Sequence, residues 1–162
     1  MTGPVSATPA TLRVRVAGRS DLPGVLAMLA AAGLPGDGLD DAWRVWVADL
    51  AGRACGAVAV ERYAAADAPG GAVFLLRSLV VVPELRGGGL GRRLVETALA
   101  EADTAATGMP AVVGLLTETA HGYFDRFGFA AVDREALPSQ MAGSVELTGA
   151  CPATARACLR GR

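Results

Sequence analysis

Between Leu85 and Arg93 the chain reads LRGGGLGRR. Gly87, Gly88, Gly89 and Gly91 leave a backbone free to turn its N–H groups toward one point, and Arg86, Arg92 and Arg93 add positive charge beside it. Placed before a helix, such a segment suits an anion, because a helix N-terminus carries unpaired N–H groups and a partial positive charge. Nothing here fits the P-loop pattern G-x-x-x-x-G-K-[ST]. A dinucleotide or kinase fingerprint fails as well, since Gly87 and Gly89 would need a third glycine where Arg92 stands. By spacing alone, a phosphate cradle and a purely structural turn stand level.

Arg77 and Ser78 interrupt the most apolar run of the chain, VFLLRSLVVV. A guanidinium buried there needs an anion, and its planar fork suits a carboxylate. That anion is either one of the chain's own acids or an acidic substrate. Cys55 lies in an apolar strand with no partnered base, which reads as packing rather than nucleophile. The sole histidine, His121, is expected to face solvent. Cys55, Cys151 and Cys158 have no common metal-ligand spacing, so no metal is expected, and their odd number suits reduced thiols. All fifteen basic residues are arginine. The absence of lysine excludes Schiff-base, P-loop and kinase-type lysine chemistry.

The elements that must position these residues follow from the pattern. At 162 residues, with 52% hydrophobic and 19% charged, the chain has the length and composition of one folded domain. A net charge of −1 argues against a dedicated nucleic-acid binder. The longest apolar stretch, Val73 to Val82, is too short and too polar to cross a membrane. MTGPVSATPATLR has no secretory pattern, so a cytoplasmic location is expected.

Residues 1–10 are expected to be a flexible N-terminus, with a single domain over 11–162. Leu12, Val14 and Val16 alternate as in a half-buried strand. Ser20 is a candidate cap for a helix carrying Leu22, Val25, Leu26 and Leu29 on one face and ended by Gly33. GLPGDGLDD reads as a loop or short helix at the wall of a site. WRVWVADL and ACGAVAVERY make a hairpin across AGR, and VFLLRSLVVV reads as a central strand. A helix follows from Leu90 to about Thr104, then a short strand at AVVGLL. A second helix is expected from Glu118 to Phe127, capped by Thr117 and stopped by Gly128. FAAVD is a last short strand, followed by a turn of helix around EALPSQM and a C-terminal segment of no clear type. The order gives one α/β domain.

At this point the chain resembles a family. RGGGLG, residues 86–91, fits the [QR]-x-x-G-x-[GA] signature of the GCN5-related N-acetyltransferases (GNAT), and the flanking LVVVPELRG and HGYFDRFGF are similar to that family's strand and penultimate helix. The resemblance covers roughly residues 12–140. It implies a mixed, mostly antiparallel sheet flanked by helices, with a V-shaped opening between two central parallel strands, here 73–82 and 111–116. Acetyl-CoA would lie in that opening as cosubstrate. The N–H groups of Arg86, Gly87, Gly88, Gly89, Leu90, Gly91 and Arg92 would hold its pyrophosphate, and backbone groups of Val80, Val81 and Val82 its pantetheine arm. Thr117 and Phe124 would border it.

The mechanism implied is direct attack of a neutral amine on the thioester, with a backbone N–H at Val80 stabilising the oxyanion. Where many relatives carry a tyrosine as general acid the chain has Phe124, and Tyr123 is one residue away, about 100° round a helix. Tyr123 is therefore one candidate acid and water is the other. A narrower likeness, to arsenic-resistance-type (ArsN-like) N-acetyltransferases and short N-acetylglutamate synthases, rests on LLRSLVVVPELRGGGLG, LLTETAHGYFDRFGF, DREALP and the CPATARAC tail. It implies a small acidic, glutamate-like amine or toxin as acceptor, received by Arg77 and Ser78. The tail places Cys151 and Cys158 as structural cysteines or as thiols for a soft metalloid. Other amines (a protein N-terminus, lysine or antibiotic) and a non-catalytic acyl-CoA sensor are the alternatives. Family members are often homodimers, and no nucleic-acid or membrane partner is implied.

Overall fold

Side chains along a strand point alternately to its two faces, and the sheet of this protein is covered on both. The computed structural model describes residues 11–65, 71–106, 111–120 and 122–161. In chain order it runs β1 (Leu12–Val16), α1 (Leu22–Ala31), β2 (Arg44–Leu50), β3 (Arg53–Ala64), β4 (Ala72–Val81), α2 (Leu90–Ala105), β5 (Val112–Thr117), β6 (Ala130–Val132) and β7 (Arg156–Arg160). The seven strands form one sheet in the order β1-β2-β3-β4-β5-β7-β6. Neighbours are antiparallel except β4 and β5, which run parallel at the centre. This is the mixed, mostly antiparallel sheet expected, and β4 is its central strand.

On one face, Trp46, Ala48, Val58, Val60, Phe74 and Leu76 pack against Leu90, Leu94, Val95, Ala98, Leu99 and Ala102 of α2. That is the stripe read from the sequence, and each fully buried aliphatic there contributes roughly 2 kcal/mol. On the other face Val45, Val47, Ala57 and Ala59 meet Val25 and Leu29 of α1, while Val73 and Leu75 meet Leu137 and Met141.

Gly33, at φ +68°, ends α1 as expected; its N–H donates to Ala30 O and the Leu34 N–H to Leu29 O, a Schellman closure. Leu26 stays exposed.

Two expectations are corrected, and the C-terminal segment gains a type. Ser20 caps nothing: it sits in a 3-10 turn, Arg19–Asp21, and Asp21 stands before α1. The Asp21 carboxylate instead accepts from the Gly18 N–H and from Arg15, and Arg15 holds its pKa below the usual range.

The helix expected over 118–127 is only a 3-10 turn, Phe124–Phe127, because Gly122 at φ +79° breaks a right-handed run. Gly128, at φ +86°, does stop it.

The C-terminal segment is a full strand. β7 inserts between β5 and β6, antiparallel to both. Arg160 on β7 makes two hydrogen bonds to Asp103 on α2, at 2.9 and 2.8 Å, which joins the last strand to the long helix.

Candidate active site

The centre of the sheet opens because β4 and β5 pair over only three residues. Val73, Phe74 and Leu75 match Val112, Val113 and Gly114, and the pairing then ends. Beyond that point β4 stays with β3, and β5 stays with β7 as far as Thr117. Each strand therefore turns an edge of backbone groups toward the other.

The space between them is a cavity of about 760 Å³ with walls from Leu76–Val81, Leu115–Ala120, Ala32–Pro35 and the chain near Cys151.

A β-bulge shapes this edge. Ala57 pairs with Val80 but Ala59 with Arg77, so β4 carries one extra residue there. Ser78 takes φ +58°, a costly conformation for a residue with a side chain. The bulge reverses the alternation: Phe74 and Leu76 face α2, yet so do Leu79 and Val81, and Val80 joins the α1 side.

The glycine-rich segment lies at the mouth of the opening. Pro83–Leu85 make a 3-10 turn, and Gly87 and Gly89 take φ +83° and +81°. Nothing crowds a Cβ at either, so the backbone angle is what demands glycine. Gly89 precedes α2, whose first N–H groups have no side-chain cap.

Leu90 anchors this end in the core. Arg86 is exposed and donates from Nε to Val81 O at 3.0 Å. Arg92 is exposed and paired with Glu96 at 2.7 Å. The N–H of Val82 donates to Cys55 O and its carbonyl accepts from Leu85. Of the three residues expected along the pantetheine arm, Val82 thus has both backbone groups engaged, while Val80 and Val81 pair with Ala57 and Gly56 of β3.

Phe124 lines the cavity, whereas Tyr123 is not among its walls. The Tyr123 ring stacks edge-on against Phe124 and Phe127, with the Arg126 guanidinium 4.9 Å above it, and burial pushes its hydroxyl pKa up. Its hydroxyl points at α2, where a Cβ on Gly91 would lie 3.0 Å from it. Gly91→Ala is therefore expected to cost about 1 kcal/mol through overpacking. Adding Tyr123→Phe removes the obstructing oxygen and restores the melting temperature; thermal unfolding of the two variants checks this.

Thr117 lines the cavity and its Oγ1 accepts from the Ala120 N–H at 3.1 Å. His121 lies outside the described residues.

Arg77 is buried, its side chain 1% exposed. Nη1 donates to Glu61 at 2.7 Å; Nη2 pairs with Glu146 at 2.8 Å and donates to Asp37 O at 2.6 Å; Nε donates to Ser78 Oγ at 3.2 Å. Of the two anions open to it from the sequence, the chain's own carboxylates are the ones it meets.

The second oxygen of Glu61 accepts from Tyr63, whose pKa is pushed up to about 12 by burial and then by that carboxylate. Cys151 donates to Glu146, and burial first, then Glu146, push its pKa up to about 12. Cys158 lies in the core beneath α2, away from this cluster. Among the described residues no group of three or more His, Cys, Asp or Glu is placed to hold a metal, and no helix is long and apolar enough to cross a membrane.

Glu61, Tyr63 and Glu146 were not legible as site residues. They come from β3 and from a segment more than eighty positions later, with no motif to join them.

Residues 41–131 match the family described as acetyltransferase (GNAT) domain, more than half of the chain. No curated protein matches the sequence. Among solved structures, N-acetylglutamate synthase from Neisseria gonorrhoeae, complexed with coenzyme A and N-acetyl-glutamate, is 20% identical with a TM-score of 0.73. It covers 96% of this chain, which spans only 36% of its length. An acetyltransferase of the GNAT family from Staphylococcus aureus is 14% identical, with a TM-score of 0.71 over 93% of this chain and 99% of its own. Rv2747 from Mycobacterium tuberculosis, in complex with CoA and NLQ, is 21% identical with a TM-score of 0.68, covering 93% and 99%. At these identities the likeness is one of fold.

Proposed function

The chain belongs to the GNAT acetyltransferase family, and from that premise we propose that it moves the acetyl group of acetyl-CoA to the amine of a small molecule. The observation that carries the reading is the splayed β4–β5 pair with the uncapped, glycine-led N-terminus of α2 at its mouth. The N–H groups from Gly87 to Arg92 are suited to the pyrophosphate, and the edge of β4 beyond its pairing with β5 to the pantetheine amides. A backbone N–H at the bulge would meet the carbonyl oxygen as it becomes an oxyanion, an effect commonly worth about 3 kcal/mol. Phe124 gives the wall an apolar surface there and has no proton to donate. With the Tyr123 hydroxyl directed at α2, a water is the better candidate acid toward the departing thiolate.

For the acceptor we propose a small amino acid of the glutamate type. Its support is the likeness to the gonococcal synthase, solved with N-acetyl-glutamate. Arg77 does not supply that support, being held by two carboxylates of its own. Arg86 also lines the cavity, and its guanidinium is the group to meet a substrate carboxylate.

The test is acetyl-CoA-dependent thiol release against glutamate, phosphinothricin, neutral amino acids, a polyamine, an aminoglycoside and a lysine peptide. Turnover on the first two, at least tenfold above the rest, is the expected result. Tight acetyl-CoA binding without turnover on any amine would leave a non-catalytic acyl-CoA sensor instead.

A further inference from the structure

The Arg77 cluster holds one carboxylate more than its guanidinium requires. Glu61 alone neutralises Arg77; its remaining oxygen accepts from Tyr63, as the remaining oxygen of Glu146 accepts from Cys151. Glu61 is not on the cavity wall; Glu146 is. A second buried carboxylate raises the desolvation cost without being needed for neutrality, and a neutral residue of the same shape would avoid it. The surplus charge sits where the cavity meets the bulge of β4, the Gly33–Pro35 turn and Cys151.

We propose that Glu146 receives the ammonium end of the acceptor and takes its proton before the amine attacks. This rests on the acetyltransferase reading above. An alkyl amine arrives protonated at neutral pH and has no lone pair to attack with. The carboxylate draws it in, and the N–H bond breaks as an O–H bond forms on Glu146. The cluster then passes from one net negative charge to none, with Arg77 and Glu61 left as a matched pair. The neutral amine bonds to the thioester carbon, and the C–S bond breaks with its electron pair going to sulfur. The second amine proton ends on that sulfur, giving CoA thiol, and the proton on Glu146 returns to solvent through the cavity. Atoms and charge balance as ammonium plus acetyl-CoA giving amide, CoA thiol and one proton.

The groups facing Glu146 are compatible with this role. Arg77 comes from β4, Glu61 and Tyr63 from β3, and Cys151 and Ser144 from its own segment, where Ser144 Oγ accepts from the Glu146 N–H. Arg134 reaches the same segment through Leu147 O and Pro152 O. Among these Arg77 is the direct cationic partner, and Glu61 shares it.

The experiment compares the wild type with Glu146→Gln on two acceptors: an alkyl amine, protonated at pH 7, and an alkoxyamine, neutral there. The variant is expected to lose roughly 100-fold in kcat/KM on the first and less than about threefold on the second. Its deficit on the alkyl amine shrinks as pH approaches the amine's own pKa. Acetyl-CoA affinity and melting temperature, measured alongside, stay near the wild-type values. Glu146→Asp, which keeps the carboxylate, recovers part of the rate and serves if the glutamine variant folds poorly. Equal losses on both amines with an unchanged pH profile would overturn the assignment, as would no loss at all. A wild type that turns over no amine fails the parent reading instead, before any variant is made.

Discussion

Arg77→Met is expected to unfold about 3–5 kcal/mol more easily than the wild type at pH 7, because it strands Glu61 and Glu146 side by side without their cation. The guanidinium also holds Asp37 O, so the loop over 34–41 loses its tie to β4. The sign of the pH dependence follows from the charges left behind. Buried carboxylates lacking a cation bind protons more tightly in the folded than in the unfolded chain. The variant's deficit is therefore smallest near pH 5 and grows as pH rises.

Urea unfolding at pH 5 and pH 7 measures both effects, and adding Glu61→Gln to the variant recovers part of the loss. Were Arg77 a substrate receptor alone, the variant would keep its stability and lose only affinity for the amine. A stability change under about 1 kcal/mol, independent of pH, would decide for that role.

Gly89→Ala is expected to weaken acetyl-CoA binding at least tenfold while lowering stability by only about 1 kcal/mol. Gly89 holds φ +81° at the residue before α2, with open space around it. An alanine there relieves its strain by rotating the backbone, and that rotation turns the neighbouring N–H groups away from the pyrophosphate proposed to lie there.

Gly88 is the internal control. It has no left-handed φ, and a Cβ on it would make ordinary contact with Leu85 O at 3.6 Å. Gly88→Ala should bind acetyl-CoA within about threefold of the wild type, since it needs no backbone change. Calorimetric titration of the two alanine variants gives the comparison. Equal affinities would mean that the loop geometry does not position the phosphate donors.

Much of this protein is legible in the sequence because it depends on neighbours along the chain. The stripe Leu90, Leu94, Val95, Ala98, Leu99, Ala102 specifies α2 by period, and Gly89 before it and Gly33 after α1 mark helix ends by the angles only glycine adopts readily. VFLLRSLVVV is apolar on both faces and so belongs at the centre of a sheet. The family resemblance, carried by RGGGLG and HGYFDRFGF, then implies where a cosubstrate would lie.

Local pattern misleads where one residue reverses it: Gly122, at φ +79°, cuts a promising helix to a single turn. The bulge at Ser78 leaves no mark in the spacing, yet it decides which face Val80 occupies and which backbone edge is open. The partners of Arg77 were beyond reach for a simpler reason. Arg77 in the sequence states a need for an anion, but not which one. Glu61 answers from the neighbouring strand, and Glu146 from a segment that returns only because β7 inserts between β5 and β6. Distance along the chain carries no information about that meeting; the sheet order alone brings it about.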